Sequence, residues 1–294
     1  MNHQIGFIGL GKMGKNMVLH LRERGIDVVA YNRTPMPEAS VSSIDDLVHK
    51  LQPPRVIWLM IPNGAPIDEV LGKFTLTPGD ILIDGGNTYY KDTVRRSGEL
   101  LKKGIHYIDS GTSGGTQGAR TGACLMLGGE EAIVKELSWL WDGLAVKGGW
   151  NYFGPSGAGH FVKMVHNGIE YGMDQAIGEG MEILSSAPYQ LDLKKVADTW
   201  QQGSIIKGYL IELLARALAI DPRLDSFTGK IGGGETGGWT LAAAREFGIE
   251  IPVIENAIAA RQKSLGHPTV SSKVVSALRK EYGGHSEAGS TVSK

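Results

Sequence analysis

A single cysteine, Cys124, in 294 residues leaves no internal disulfide to staple the fold. It also leaves no thiolate cluster for a metal, and it points to a reducing compartment. Alone, it reads as a small buried residue. No compact Asp/Glu/His set suggests a metal site either. No apolar run approaches the roughly 18 residues needed to cross a bilayer. The segment Met1-Asn2-His3-Gln4 is polar and lacks the basic and apolar regions of a secretory leader, so a cytoplasmic location is expected. An excess of one charge is missing as well: 30 Lys and Arg oppose 31 Asp and Glu, for a net charge of −1. No global field then draws the chain to nucleic acid or to an anionic membrane. A local basic pocket for a small anion stays compatible with this balance.

What the chain does have is glycine, 42 residues of it, clustered between apolar segments rather than spread as low complexity. Such clusters mark tight turns or places where backbone approaches a ligand. The length suffices for two domains, each with a core. Ile5-Gly6-Phe7-Ile8 reads as a strand and Gly9-Leu10-Gly11-Lys12-Met13-Gly14 follows it directly. Met17, Val18 and Leu21 then recur at helical spacing, and Ile26 to Tyr31 reads as a second strand. Strand, glycine turn, helix and strand within about thirty residues form a dinucleotide-binding unit. Gly9 serves the tight turn, Gly11 the approach of a pyrophosphate and Gly14 the close packing of helix on strand. The helix N-terminus offers unpaired N–H groups to the phosphates.

The end of the second strand bears on cofactor choice. An NAD site places Asp or Glu there for the ribose 2′-hydroxyl, whereas this chain has Tyr31-Asn32-Arg33-Thr34. Arg33 suits a 2′-phosphate, with Asn32 and Thr34 as further donors. NADP is therefore expected, with NAD less favoured. Met13 and Met60, beside the glycine turn and at the end of a later strand, are further candidate cofactor contacts. Strands are expected over Arg55–Met60, Asp80–Asp84 and Gly104–Asp109, each ending in small or polar residues. The last two lead into Gly85-Gly86-Asn87 and into Ser110-Gly111-Thr112-Ser113-Gly114-Gly115. In doubly wound sheets ligands bind at those carboxyl ends.

After Gly159 the patterning turns helical. A long helix is expected from about His160 to Ser185, with others near Leu193–Gln202, Ile205–Ala219, Trp239–Phe247, Ile254–Ser264 and Ser272–Tyr282. Gly229 to Gly238 reads as a glycine-rich link. The expected architecture is α/β: an N-terminal Rossmann doubly wound sheet over 1–158, followed by an all-α helical domain over 159–294. On the long helix Lys163, His166, Asn167, Glu170 and Asp174 fall within about one-third of the circumference. Such a stripe is either a solvent face or the lining of a cleft. Its mixed chemistry and the wide apolar arc beside it favour the cleft.

At these residues the sequence resembles the 6-phosphogluconate dehydrogenases. The resemblance is carried by His160-Phe161-Val162-Lys163-Met164-Val165-His166-Asn167-Gly168-Ile169-Glu170-Tyr171, Asp84-Gly85-Gly86-Asn87-Thr88 and Ser113-Gly114-Gly115. It continues through Gly237-Gly238-Trp239-Thr240, Ala260-Arg261 and Arg279 to His285. The wider β-hydroxyacid dehydrogenases share the glycine turn, Ser113-Gly114-Gly115 and Lys163, but usually lack His166-Asn167 with Glu170.

The resemblance implies oxidative decarboxylation of a phosphorylated sugar acid, 6-phosphogluconate, in the pentose phosphate route. Lys163 resembles the general base for the 3-hydroxyl, a role that needs a neutral amine and hence a lowered pKa. Glu170 resembles the acid that protonates the carbon left by CO2. Asn87, Ser113, Gly114, Gly115, His166 and Asn167 would hold the sugar acid, with His166 and Asn167 also counted among the catalytic residues and Asn87 among the cofactor contacts. Tyr171, Arg261 and Arg279 would hold its phosphate, and His285 would complete the pocket. No metal is implied. The chain has Gly238 where long-form members carry a lysine. In the long form a tail enters the neighbouring subunit's site, so a homo-oligomer, dimer or tetramer, is expected. Whether Arg279 and His285 act in trans or in cis stays open at this point.

Two other readings compete. A β-hydroxyacid dehydrogenase of the 3-hydroxyisobutyrate kind would share the fold and Lys163 but gives no account of Glu170 or the arginines. A non-catalytic NADP-binding module has no need of the base and the acid.

Overall fold

The computed structural model describes residues 3–289, so the first two and last five residues of the expected domains lie outside the described residues. The chain divides into two compact units, one ending at Met164 and one beginning at Val165.

The first unit alternates strands and helices in the order β1 (Gln4–Ile8), α1 (Lys12–Glu23), β2 (Asp27–Tyr31), α2 (Ile44–Lys50), β3 (Val56–Leu59), α3 (Ala65–Leu71), β4 (Ile81–Asp84), α4 (Tyr90–Leu101) and β5 (His106–Ser113). It continues with α5 (Gly115–Thr121), β6 (Ala123–Gly128), α6 (Glu131–Glu136), α7 (Ser138–Leu144) and β7 (Ala145–Gly154). These strands build one seven-stranded sheet in the order β2-β1-β3-β4-β5-β6-β7. Pairing is parallel from β2 through β5, antiparallel between β5 and β6, and parallel again between β6 and β7.

Side chains alternate across this sheet, and the alternation divides the core in two. Ile5, Phe7, Trp58, Ile83 and Ile108 pack on one face with Met17, Val18 and Leu21 of α1. Val29, Ile57, Leu59 and Leu82 pack on the other with Leu47 and Val48 of α2 and Leu100 of α4. A sheet covered on both faces buries nearly every strand residue, which is why these strands read as short continuous apolar runs. The chain is thus an α/β Rossmann sheet followed by helices, as the patterning predicts.

Several local expectations are corrected. The β5 strand runs on to Ser113, because Asp109 to Ser113 pair with β6. β6 and β7 were not among the expected strands; β7 is largely exposed and glycine-rich, so it shows no apolar alternation. Cys124 is exposed rather than buried: on β6 its neighbours Ala123 and Leu125 point into the core and it points away.

A 28-residue helix, α8 (Ala158–Ser185), starts in the first unit and continues into the second. Its start is fixed by a buried carboxylate. Asp109 accepts hydrogen bonds from the backbone N–H of Gly157 at 2.7 Å and of His160 at 2.8 Å. These are N–H groups that a helix start leaves without a partner. Burial raises the Asp109 pKa, opposed by the two backbone donors and the His160 ring. The His160 Nδ1 in turn lies 2.7 Å from the Thr93 hydroxyl on α4.

The second unit comprises the rest of α8 with α9 (Leu193–Trp200), α10 (Tyr209–Ile220), α11 (Glu235–Glu246), α12 (Pro252–Lys263) and α13 (Val270–Gly283). Met181, Ala197, Leu213, Leu214, Leu218, Val274 and Leu278 form its core. A capping box between Thr269 and Ser272 opens α13. The expected glycine link is helical from Glu235. There Gly237 packs flat against the Tyr171 ring, where a Cβ would come within 2.5 Å of a ring carbon. The helix expected from Ile205 begins at Tyr209, after Gly208. No helix among the described residues is long and apolar enough to cross a membrane.

Replacing Asp109 with alanine leaves two buried N–H groups without an acceptor. We expect a loss of about 2–4 kcal/mol in denaturant unfolding. A loss below about 1 kcal/mol would show that the start of α8 is held by other contacts.

Candidate active site

In the first unit, the predicted residues gather at the carboxyl ends of the parallel strands. β1 is paired with β2 on one side and β3 on the other, so the strand order reverses beside it, and doubly wound sheets bind ligands at such a point. Gly9 has φ +98°, and a Cβ there would lie 2.3 Å from the Met60 carbonyl oxygen. A Cβ on Gly14 would lie 1.9 Å from the Gly9 carbonyl oxygen. At Gly11, by contrast, nothing stands within 4 Å. The glycines on either side close the turn against protein, and the middle one faces open space. Gly11 is also the cap of α1 and provides no side chain for its N–H groups. That arrangement fits a pyrophosphate on the helix start. Met13 is partly buried against the core, and Met60 donates its N–H to the Ile8 carbonyl at 2.8 Å.

Beyond β2, Asn32 is committed to the loop. Its oxygen accepts from the Leu10 N–H at 2.9 Å, and its amide donates to the Thr34 carbonyl at 2.8 Å. Arg33 and Thr34 are exposed. Arg33 lines an open cavity of about 740 Å³ with Asn32, Ser42, Asp46, His49 and Lys50. Ser42, His49 and Lys50 were not among the sequence-derived candidates. Nothing in the sequence ties α2 to the end of β2, and no signal there marks these residues. The Asp46 carboxyl, hydrogen-bonded by Ser43 and Ser42, is held below its ordinary range.

Asn87 is exposed beyond β4, after two buried glycines. Ser113 closes β5, Gly114 takes the left-handed conformation at φ +111°, and Gly115 opens α5. Lys163 is half-buried. Its stem rests on β5: a Cβ on Gly111 would fall 2.4 Å from the Lys163 Cβ. Any larger residue at 111 would displace that lysine. The polypeptide therefore fixes Lys163 from two directions, through Gly111 beneath it and Asp109 at the helix start.

In the second unit, His166 and Glu170 face each other one turn apart on α8, with His166 Nδ1 3.9 Å from Glu170 Oε2 and 3.1 Å from Asn167 Oδ1. On an α-helix Glu170 lies about 20° from the direction of Lys163, roughly 10 Å along the axis. The same polar face ends at Asp174, which is fully buried rather than open. The flanking arc is less buried than its composition suggests, since Ile169 and Met173 are 52% and 51% exposed.

Tyr171, Arg261 and Arg279 come together within this unit. Arg261 stacks over the Tyr171 ring at 3.5 Å, and the Tyr171 hydroxyl lies 3.3 Å from that of Thr236. Arg261 is 5% exposed and Arg279 8%, and neither makes an ion pair among the described residues. Burial lowers the Arg279 pKa, as does the Arg261 charge. Two buried guanidiniums of like charge are costly unless an anion joins them. The exposed His285 lies edge-on to the Tyr282 ring at 5.9 Å. Arg279 lies near enough to Arg261 and Tyr171 for both to act on its charge, while His285 lies just past α13. Gly238 is exposed, with nothing within 4 Å of a Cβ built there, so the position of the long-form lysine is open.

The family model described as the NAD binding domain of 6-phosphogluconate dehydrogenase matches residues 4–148, and that of the 6-phosphogluconate dehydrogenase C-terminal domain matches residues 159–287. The chain belongs to the 6-phosphogluconate dehydrogenase family. It is 41% identical to a putative 6-phosphogluconate dehydrogenase, YqeC, of Bacillus subtilis, over 96% of this chain and 98% of the relative. It is 37% identical to an NAD(+)-dependent, decarboxylating 6-phosphogluconate dehydrogenase of Haloferax volcanii, over 97% of this chain and 98% of the relative. Among solved structures it resembles the Plasmodium falciparum 6-phosphogluconate dehydrogenase with TM-score 0.80 and 33% identity, covering 89% of this chain and 62% of that one. A Mycobacterium tuberculosis 3-hydroxyisobutyrate dehydrogenase shares the fold, with TM-score 0.70 and 20% identity over 93% and 98% of the two chains.

Removing the Arg33 guanidinium tests its role at the cavity. Arg33→Ala is expected to raise the KM for NADP by about 10- to 100-fold, the worth of a charge-assisted hydrogen bond. The KM for NAD should change by less than about threefold. Equal losses with both cofactors would remove Arg33 from the 2′-phosphate.

Proposed function

We propose that the chain oxidises and decarboxylates 6-phosphogluconate to ribulose 5-phosphate and CO2, with NADP as the preferred acceptor. The observation that carries this reading is one helix face bearing Lys163 and Glu170, in a chain that also buries Arg261 and Arg279 with no ion pair among the described residues. A non-phosphorylated hydroxy acid brings only the carboxylate of its reacting end and offers two buried arginines no dianion. Preference for NADP rests on Arg33 and on the lack of an acid at the end of β2. Relatives named as NAD(+)-dependent and as NADP(+)-dependent both occur. The cytoplasm, the pentose phosphate route and assembly as a homo-oligomer belong to the same reading.

The residues divide the work as follows. The glycine turn at Gly9, Gly11 and Gly14, with Arg33 beyond β2, would hold NADP, which would supply the acceptor for a hydride from C3. Lys163, as the neutral amine, takes the proton of the 3-hydroxyl as that hydride leaves. The resulting 3-keto acid loses C1 as CO2, and the electrons of the C1–C2 bond move toward the carbonyl at C3. Protonated Lys163 returns its proton to that oxygen and stabilises the charge developing there. Glu170 protonates the carbon that CO2 has left, which becomes C1 of the product, while the enol hydroxyl returns its proton to Lys163 and the carbonyl reforms. Asn87, Ser113, Gly114, Gly115, His166 and Asn167 orient the sugar acid. Tyr171, Arg261, Arg279 and His285 hold its phosphate, the arginines through paired N–H donors. No group of His, Cys, Asp or Glu suited to a metal occurs among the described residues, and no step above calls for one.

Initial rates with 6-phosphogluconate, gluconate and 3-hydroxyisobutyrate under each cofactor test this directly. We expect turnover of 6-phosphogluconate alone, and Lys163→Ala should lower kcat by about 10³-fold, as loss of a general base does, while NADP still binds. Turnover of 3-hydroxyisobutyrate in preference, or substantial activity in the alanine variant, would overturn the assignment.

A further inference from the structure

Asp174 has no part in the reaction as written, yet it is the most deeply buried acid in the second unit. Its side chain is fully excluded from solvent, one turn beyond Glu170 on α8. Oδ2 accepts a hydrogen bond from the Tyr282 hydroxyl at 3.0 Å. Oδ1 is buried with no hydrogen-bond partner. An orphaned carboxylate oxygen in the interior is costly, and a carboxylic acid proton removes most of that cost.

The groups that act on it come from three helices. Glu170 on α8 repels its negative charge, whereas Arg261 on α12 and Arg279 on α13 attract it, as the Tyr282 donor on α13 does. The same two guanidiniums make up the phosphate site proposed above. Asp174 is the fully buried carboxyl on which their field acts, together with the Tyr282 ring beside it.

We propose that Asp174 is the charge-compensating group of the phosphate site: a carboxylate facing the arginines before binding, and a carboxylic acid once a phosphate dianion occupies them. Binding then takes up a proton. This inference rests on the phosphate reading of Arg261 and Arg279. Asp174 is a positioning residue here, since it acts on the ligand through the arginines and through Tyr282.

The direction follows from the charges. Burial, with help from Glu170, pushes the Asp174 carboxyl up to about 7, against the Tyr282 hydrogen bond and the two arginines. A bound dianion adds a like charge and raises it further. Affinity is then highest where Asp174 is already neutral, and it falls as pH rises through the range in which the empty site ionises. A phosphate ester loses its second proton near pH 6, so above pH 7 the ligand's charge is constant and the protein alone sets the slope.

The experiment is calorimetric titration of the full chain with 6-phosphogluconate between pH 7 and 9, in buffers of different ionisation enthalpy. Gluconate is the ligand without phosphate. The wild type should take up close to one proton per 6-phosphogluconate near pH 8. Its affinity should fall by up to about tenfold per pH unit, the limit for one linked proton. Asp174→Asn should bind with a flatter pH profile and about one proton fewer. Tyr282→Phe keeps the carboxyl and removes its donor, so the falling limb should move to higher pH. Gluconate should show no difference in proton uptake between wild type and Asp174→Asn. Equal uptake of 6-phosphogluconate-linked protons in wild type and Asp174→Asn, or an unmoved limb in Tyr282→Phe, would overturn the inference while leaving the proposed reaction standing. Failure of 6-phosphogluconate to bind or turn over would instead overturn the reading on which it rests.

Discussion

The hydrogen bonds from Gly157 and His160 to the Asp109 carboxylate set where α8 begins, and the proposed chemistry depends on that start. The close contact of Gly111 with the Lys163 stem sets which face of the helix start lies on β5. From there the helical repeat carries the direction of Lys163 onward to Glu170, seven residues later. A base and an acid placed on separate loops would each need their own support. In the proposed function both lie on one helix, seven residues apart, where the helical repeat gives them a common direction.

A second constraint is electrostatic. Burying two arginines without an ion pair, as Arg261 and Arg279 are buried, is destabilising to the isolated protein. Tyr171 offsets part of that cost by stacking under Arg261, where a guanidinium sits favourably on a ring face. In the proposed function the balance is restored by a phosphate dianion, with enough oxygens to meet both forks. Stability given up in the empty protein would then reappear as affinity for a phosphorylated ligand.

Much of this was legible in the amino-acid sequence, and the residues show why. The glycine turn was readable because Gly9 and Gly14 are forced by contacts inside one βα unit, with local spacing to match. The buried strands of a two-sided sheet announce themselves by composition. β7 did not, since an exposed edge strand needs no apolar alternation, and the outward face of Cys124 followed from its pairing rather than from its type. The polar face of α8 was visible by periodicity from Lys163 to Asp174. Periodicity gives a direction but not what lies there. Glu170 is half-exposed, while Asp174, one turn on, meets Tyr282 of a helix a hundred residues away. Likewise no local pattern joins Ser42, His49 and Lys50 of α2 to Arg33. Such long-range pairings are products of the tertiary fold.

The account stands or falls on where a bound sugar acid lies along α8. A crystal structure of the chain with NADP and 6-phosphogluconate measures this directly. We expect the Lys163 amine within hydrogen-bond distance of the 3-hydroxyl, the Glu170 carboxyl beside the carbons next to the departing carboxylate, and the phosphate on Arg261 and Arg279. A sugar acid bound with its 3-hydroxyl away from Lys163, or with its phosphate off the two arginines, would contradict the account.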